Sequence, residues 1–139
     1  MFHSVELRAY CHATEDEASV ERAVRTLRPD GEIKVDKLEG HHGNPLLMMT
    51  CRIEGKDDIH AFWHRLKDAG AIPAVLQALE ERVDDEAVLH LRVDKQRAHA
   101  GAIEIAQHDD VIVVRAKVIA HPAKKSTAIR VAREYLSGL

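Results

Sequence analysis

The chain has 139 residues, 45% of them apolar and 31% charged, with a formal net charge of −3. That suits a single domain, residues 1–139, with its own core, and the acidic balance argues against a protein that coats nucleic acid with its whole surface. No apolar run is long enough to cross a bilayer, and two cysteines, Cys11 and Cys51, make no disulfide framework, so a cytoplasmic protein with no membrane partner is expected.

Val5, Leu7, Ala9 and Cys11 alternate with Glu6, Arg8 and Tyr10, so residues 2–11 read as a strand with one buried face. Thr14 and Glu17 have the spacing of a capping box, and Ala18, Val20, Ala23, Val24 and Leu27 follow a helical period up to Pro29-Asp30-Gly31. Strands are predicted over 33–38 and 46–53. Between them EGHHGNP supplies the glycines and Asn-Pro of a hairpin turn. Asp57 or Asp58 is expected to cap a helix whose inner face is Ile59, Phe62, Trp63 and Leu66, with Gly70 closing it and Pro73 opening a short helix through Leu79. Leu89, Leu91 and Val93 mark a strand, Asp94 caps a short helical turn, residues 102–106 and 111–120 read as two further strands, and a helix runs from about Lys124 to Leu136. The predicted order is β-α-β-β-α-α-β-β-β-α. Short turns between strands favour an α+β, two-layer sandwich: a largely antiparallel sheet with helices on one face.

Catalytic and metal chemistry find little support. His60 and His64 share one side of a predicted helix, but HAFWH lacks the Glu that zinc proteases place beside the first His, and no third ligand follows by spacing. Neither cysteine has a neighbouring base, no nucleophile elbow or phosphate-binding loop is present, and the Asp-Asp pairs 57–58, 84–85 and 109–110 fall at turns and caps. The reading is no enzyme, no cofactor and no resident metal.

The basic residues say more. Residues 91–139 hold nine Lys/Arg against five Asp/Glu, while the first 90 residues are strongly acidic, an asymmetry that points to an anionic partner. Arg92, Lys95, Gln96 and Arg97 lie close together, and Arg115 and Lys117 share one face of the long strand. Lys124 and Lys125 open the last helix, where the helix dipole favours an anion rather than a cation, so a bound phosphate would suit them. With only five aromatic residues, a sheet lined with stacking rings is disfavoured, and recognition of double-stranded or otherwise structured RNA by shape and phosphate fits better.

HATED (12–16), EGHHGNP (39–45) and LRVDKQRAHAG (91–101), with a long strand before a basic last helix, recur in this order in one archaeal family. The sequence resembles that family over nearly its whole length. The family is labelled predicted RNA-binding protein, or exosome-related subunit with a double-stranded-RNA-binding-like fold. The resemblance implies a fold like the large-subunit ribosomal protein that binds five-S ribosomal RNA, and it brings no catalytic residues. His41, His42, Gly43 and Asn44 match its loop, and Asp94, Lys95 and Gln96 its second motif.

Two functions are weighed. The first is an RNA-binding protein using His41, His42, Asn44, Arg92, Lys95, Gln96, Arg97, Arg115, Lys117, Lys124 and Lys125, associated with RNA processing or the exosome. The alternative is a protein-interaction module, a homodimer or complex subunit, that binds RNA weakly or not at all.

Overall fold

The computed structural model describes residues 1–39 and 43–139. Its elements are β1 (Phe2–His12), α1 (Glu17–Leu27), β2 (Lys34–Glu39), β3 (Pro45–Glu54), α2 (Lys56–Asp68), α3 (Ile72–Arg82), β4 (Val88–Asp94), α4 (Lys95–His99), β5 (Val111–Val118) and α5 (Lys125–Ser137). The strands form one antiparallel sheet in the order β2-β3-β1-β5-β4. This is the α+β arrangement that the alternation of the strands predicts.

Strand alternation decides which side is dry. Val5, Leu7 and Ala9 of β1 lie opposite Ile53, Cys51 and Met49 of β3 and Ala116, Val114 and Ile112 of β5, and all of these are buried. The helices cover that side. Each offers an apolar stripe at three- and four-residue spacing: Val20, Ala23, Val24 and Leu27 on α1; Ile59, Phe62, Trp63 and Leu66 on α2; Ile72, Val75 and Leu79 on α3; Ala128, Ile129, Ala132 and Leu136 on α5. Among the described residues, no helix covers the opposite face of the sheet.

Three local expectations differ from the structure. Residues 102–106 do not form a strand. Ile103 and Ala106 are the buried pair, three residues apart rather than two, so the segment curls away from a ladder. It meets β4 through one bridge, Ile105 to Val93, and the observed order is β-α-β-β-α-α-β-α-β-α. Helix α1 starts at Glu17 behind Asp16, not at a Thr14–Glu17 capping box. Helix α2 starts after Gly55, whose φ of 90° allows the sharp turn out of β3, so Asp57 and Asp58 lie in the first turn, where carboxylates complement the helix dipole.

Candidate nucleic-acid interface

The side chains that alternate away from the core make up the open face. The strand register sets them in rows. One row runs Arg52, Glu6, Arg115, His90; the next runs Lys34, Thr50, Arg8, Val113, Arg92. Lys117 lies beyond the first row, opposite Ser4 and Val88. Glu6 sits among the cations: Arg8 Nη2 donates to its Oε1 at 3.0 Å, and Arg52 Nη1 lies 3.9 Å from its Oε2. Arg52 also pairs with Glu54, and Arg92 reaches Asp109 at 3.3 Å. The face therefore gathers the cations Lys34, Arg8, Arg52, Arg92, Arg115 and Lys117 against the carboxylates Glu6, Asp36, Glu54 and Asp94. It is net positive in a chain that is net negative.

A second polar assembly closes the upper end of the sheet, where β1 and β4 end and β5 begins. Lys95 is 3% exposed. Its ammonium donates to Glu15 at 2.8 Å, Asp110 at 3.0 Å and the Tyr10 carbonyl at 3.0 Å. Gln96 Nε2 donates to Asp110 at 3.1 Å. Asp94 caps α4 by accepting the Arg97 N–H at 2.9 Å, and its other oxygen lies 2.9 Å from His108 Nε2. Burial pulls the Lys95 pKa down, but the hydrogen bonds and charges of Glu15 and Asp110 outweigh it and hold the ammonium above its ordinary value. Burial pushes Asp110 up, yet the Lys95 and Gln96 donors prevail and hold it below the ordinary carboxylate value. The Arg97 N–H, with help from His108, holds Asp94 low in the same way. Two sequence motifs, HATED and DKQ, thus meet through one buried cation.

Residues 4–118 match the protein family described as RNA binding. The chain belongs to this family. Over 98% of its length and 94% of the relative's, it is 35% identical to "RNA-binding protein PAB1135" of Pyrococcus abyssi. Two solved structures share the fold and a third of the sequence. Protein AF2318 of Archaeoglobus fulgidus has a TM-score of 0.86 and 34% identity, covering 96% of this chain and 99% of that one. Mth689 of Methanothermobacter thermautotrophicus has a TM-score of 0.86 and 32% identity, covering 98% of each. These relatives are archaeal, as the resemblance in the motifs implies.

Within this RNA-binding family's matched segment lie the whole open face and the Lys95 assembly; Lys124 and Lys125 lie beyond it. The structure sorts the sequence-derived candidates accordingly. Arg92, Arg115 and Lys117 are brought together on the open face. Gln96 and Arg97 are exposed on α4, engaged with Asp110 and with Glu104 at 3.6 Å. Asn44 is exposed just before β3. His41 and His42 lie outside the described residues. Lys95, unlike Gln96 and Arg97, is buried, and three oxygen partners occupy the three donors of its ammonium. Lys124 and Lys125 sit at the other end of the molecule, in clefts shared with Glu80, Asp85, Glu81 and Asp84. Sequence reasoning passed over Arg8 and Arg52. The signal was there, since both alternate with core residues of their strands, but they stand in the acidic part of the chain, where a count of charge along the sequence looks away from them.

Proposed function

We propose that this protein binds structured RNA through the open face of its sheet, with Arg8, Arg52, Arg92, Arg115 and Lys117 meeting phosphates. The observation that carries the reading is the charge of that face: six cations and four carboxylates on a chain of net charge −3. Phosphate contacts of this kind give affinity and position without demanding a sequence. Membership of an RNA-binding family and the name of the Pyrococcus relative support it. The family resemblance adds the finer expectation of a cytoplasmic role in RNA processing, beside the exosome, on a fold like the five-S-RNA ribosomal protein.

The protein-interaction alternative has one feature in its favour, the sheet edge at β2 with Val35 and Leu38 exposed. A two-fold pairing of β2 with itself, keeping both helix layers on one side, sets Lys37 against Lys37 or Asp36 against Asp36 in its two fullest registers. Like charges directly opposite are unfavourable, so the RNA reading is preferred.

The test is a titration of a labelled RNA hairpin at several salt concentrations with the wild type and with Arg8→Ala/Arg115→Ala. Each phosphate that is no longer neutralised shallows the plot of log affinity against log salt by about 0.9. The double variant is therefore expected to be shallower by close to two in slope while its unfolding midpoint stays near wild type. An unchanged slope overturns the assignment of the face.

A further inference from the structure

The open face is not uniformly charged. Cross-strand register puts Tyr10 directly opposite Met48, and Leu46 directly opposite Leu38 on its other side. All four point away from the core: Tyr10, Met48 and Leu46 are half-buried, and Leu38 is 38% exposed. They form an apolar patch at the upper end of a face whose other side chains are mostly charged, bordered by Asp36 opposite Met48 and His12 opposite Leu46. Among the described residues, Tyr10 is the one Phe, Tyr or Trp side chain on it. Phe2, Phe62 and Trp63 are buried, and Tyr135 packs edge-on against Phe2, with its hydroxyl 3.0 Å from His60 on α2.

We propose that this patch is a stacking platform for an unpaired nucleobase, with Tyr10 beneath the ring and Arg8 taking the adjoining phosphate; the inference rests on the RNA reading above. Two residues along a strand separate neighbouring rows by about 6.7 Å. One such step below Tyr10 lies Arg8, with Lys34 and Arg92 further along the same row. An occupant that satisfies both rows has a flat apolar surface joined, at the scale of one nucleotide, to an anion. A base turned out of a helix offers that. A continuous duplex does not, because its base faces are stacked against one another and only its phosphates and groove edges are presented. Such a duplex would meet the arginines and leave Tyr10, Met48 and Leu46 in water. A peptide segment would cover the apolar patch but would need an acidic side chain in step with it to compete for Arg8, which bonds Glu6 at 3.0 Å, and Lys34, which lies 4.0 Å from Asp36. The partner class is therefore RNA with unpaired nucleotides: a hairpin loop, a bulge or a single-stranded end next to a helix. Asn44 is exposed just before β3, at this end of the face.

The full-length protein is titrated by fluorescence anisotropy with two labelled RNAs of equal charge, a hairpin with an unpaired loop and a blunt duplex. Wild type, Tyr10→Phe and Tyr10→Val are compared at two salt concentrations. Val keeps a strand former at the position, and the wild-type comparison of the two RNAs needs no variant at all. The expected result is preference for the hairpin, kept in Tyr10→Phe. In Tyr10→Val it falls by about 5- to 150-fold, the range of one base–aromatic stack, with an unchanged salt slope because no charge is removed. Equal wild-type affinity for both RNAs, or a hairpin affinity indifferent to Tyr10→Val, overturns the platform and leaves RNA binding standing; a patch that serves a peptide gives this result. No binding of either RNA at low salt overturns the RNA reading itself and the platform with it.

Discussion

The open face and the Lys95 assembly are built from the same residue types and put them to opposite uses. On the face, Arg115 is exposed, and its cross-strand neighbours are Glu6 and His90. In the assembly, Lys95 is enclosed by Glu15, Asp110 and a backbone carbonyl. In the sequence the two cations belong to one basic stretch. What separates them is how many acceptors the fold delivers to each. A cation with its donors filled holds elements together, here β1, the start of α1, α4 and β5. A cation left on a solvated sheet contributes little to stability and remains available to a ligand.

The sharpest way to break the contrast is to exchange the roles by mutation. Lys95→Met removes the ammonium while keeping much of its volume and leaves Glu15 and Asp110 facing each other. A fully buried pair broken in this way costs about 3–5 kcal/mol. Asp110 keeps roughly half of its side chain in solvent, so we expect about 2–3 kcal/mol, read as a fall in the urea midpoint. Arg8→Ala/Arg115→Ala is expected to stay within about 0.5 kcal/mol per residue on the same measurement. If Lys95→Met were no less stable than the arginine variant, the assembly would not be what ties these segments together.

Acid offers a smaller and more selective effect. Asp94 and Asp110 are held below their ordinary pKa in the folded state. A carboxylate so depressed stabilises the fold above the unfolded value, near 3.9, and that contribution disappears as pH falls through the lower, folded value. Stability is therefore expected to change little on this account from pH 7 to 5 and to decline below about pH 4. In Lys95→Met, Asp110 loses the partner that lowers it, so the decline is shallower; in the arginine variant it keeps its wild-type steepness. Urea titrations at pH 7, 5 and 3 on the three proteins measure this. Equal steepness in all three would mean that Lys95 does not govern Asp110.

These contrasts also show what was legible in the sequence. The two-layer fold was, because β1 and β5 alternate cleanly and the four long helices carry apolar stripes at helical spacing. Asp94 as the cap of α4 and Gly70 at the end of α2 were local signals read correctly, since capping chemistry lies within a few residues of the end it serves. Residues 102–106 were misread because Ile103 and Ile105 imitate a two-residue alternation, while the packing uses Ile103 and Ala106. The site was harder. Arg115 and Lys117 were legible on one strand, but the row that joins Arg115 to Glu6, Arg52 and His90 exists only through cross-strand register, which brings together residues from three other strands of the chain. The surroundings of Lys95 were illegible for the same reason. Its partners Glu15 and Asp110 lie far away on either side in the chain, so a lysine beside Arg92 and Arg97 resembles one more solvated cation until the strands are assembled.

The smallest expected effect concerns Lys124 and Lys125, which the sequence recommends as phosphate ligands at the start of α5. The fold surrounds them with acids. Lys125 shares one cleft with Glu81, Asp84, Asp85 and His90, and both lysines share another with Glu80 and Asp85. A phosphate arriving there meets as much negative as positive charge. The cost of crowding it against carboxylates offsets what the helix N-terminus would contribute, which is typically 0.3–1 kcal/mol at an exposed end. Lys124→Ala/Lys125→Ala is therefore expected to leave the salt slope of hairpin binding unchanged and its affinity within about two-fold, while Arg8→Ala/Arg115→Ala shallows the slope by about 0.9 for each phosphate left without its cation. Equal shallowing in both variants would extend the interface from the open face around the lower corner of the sheet, past His90, to the end of α5. That outcome would also require the surrounding carboxylates to turn away or take up cations when RNA binds, and substituting Glu80 and Asp85 with their amides would then raise affinity.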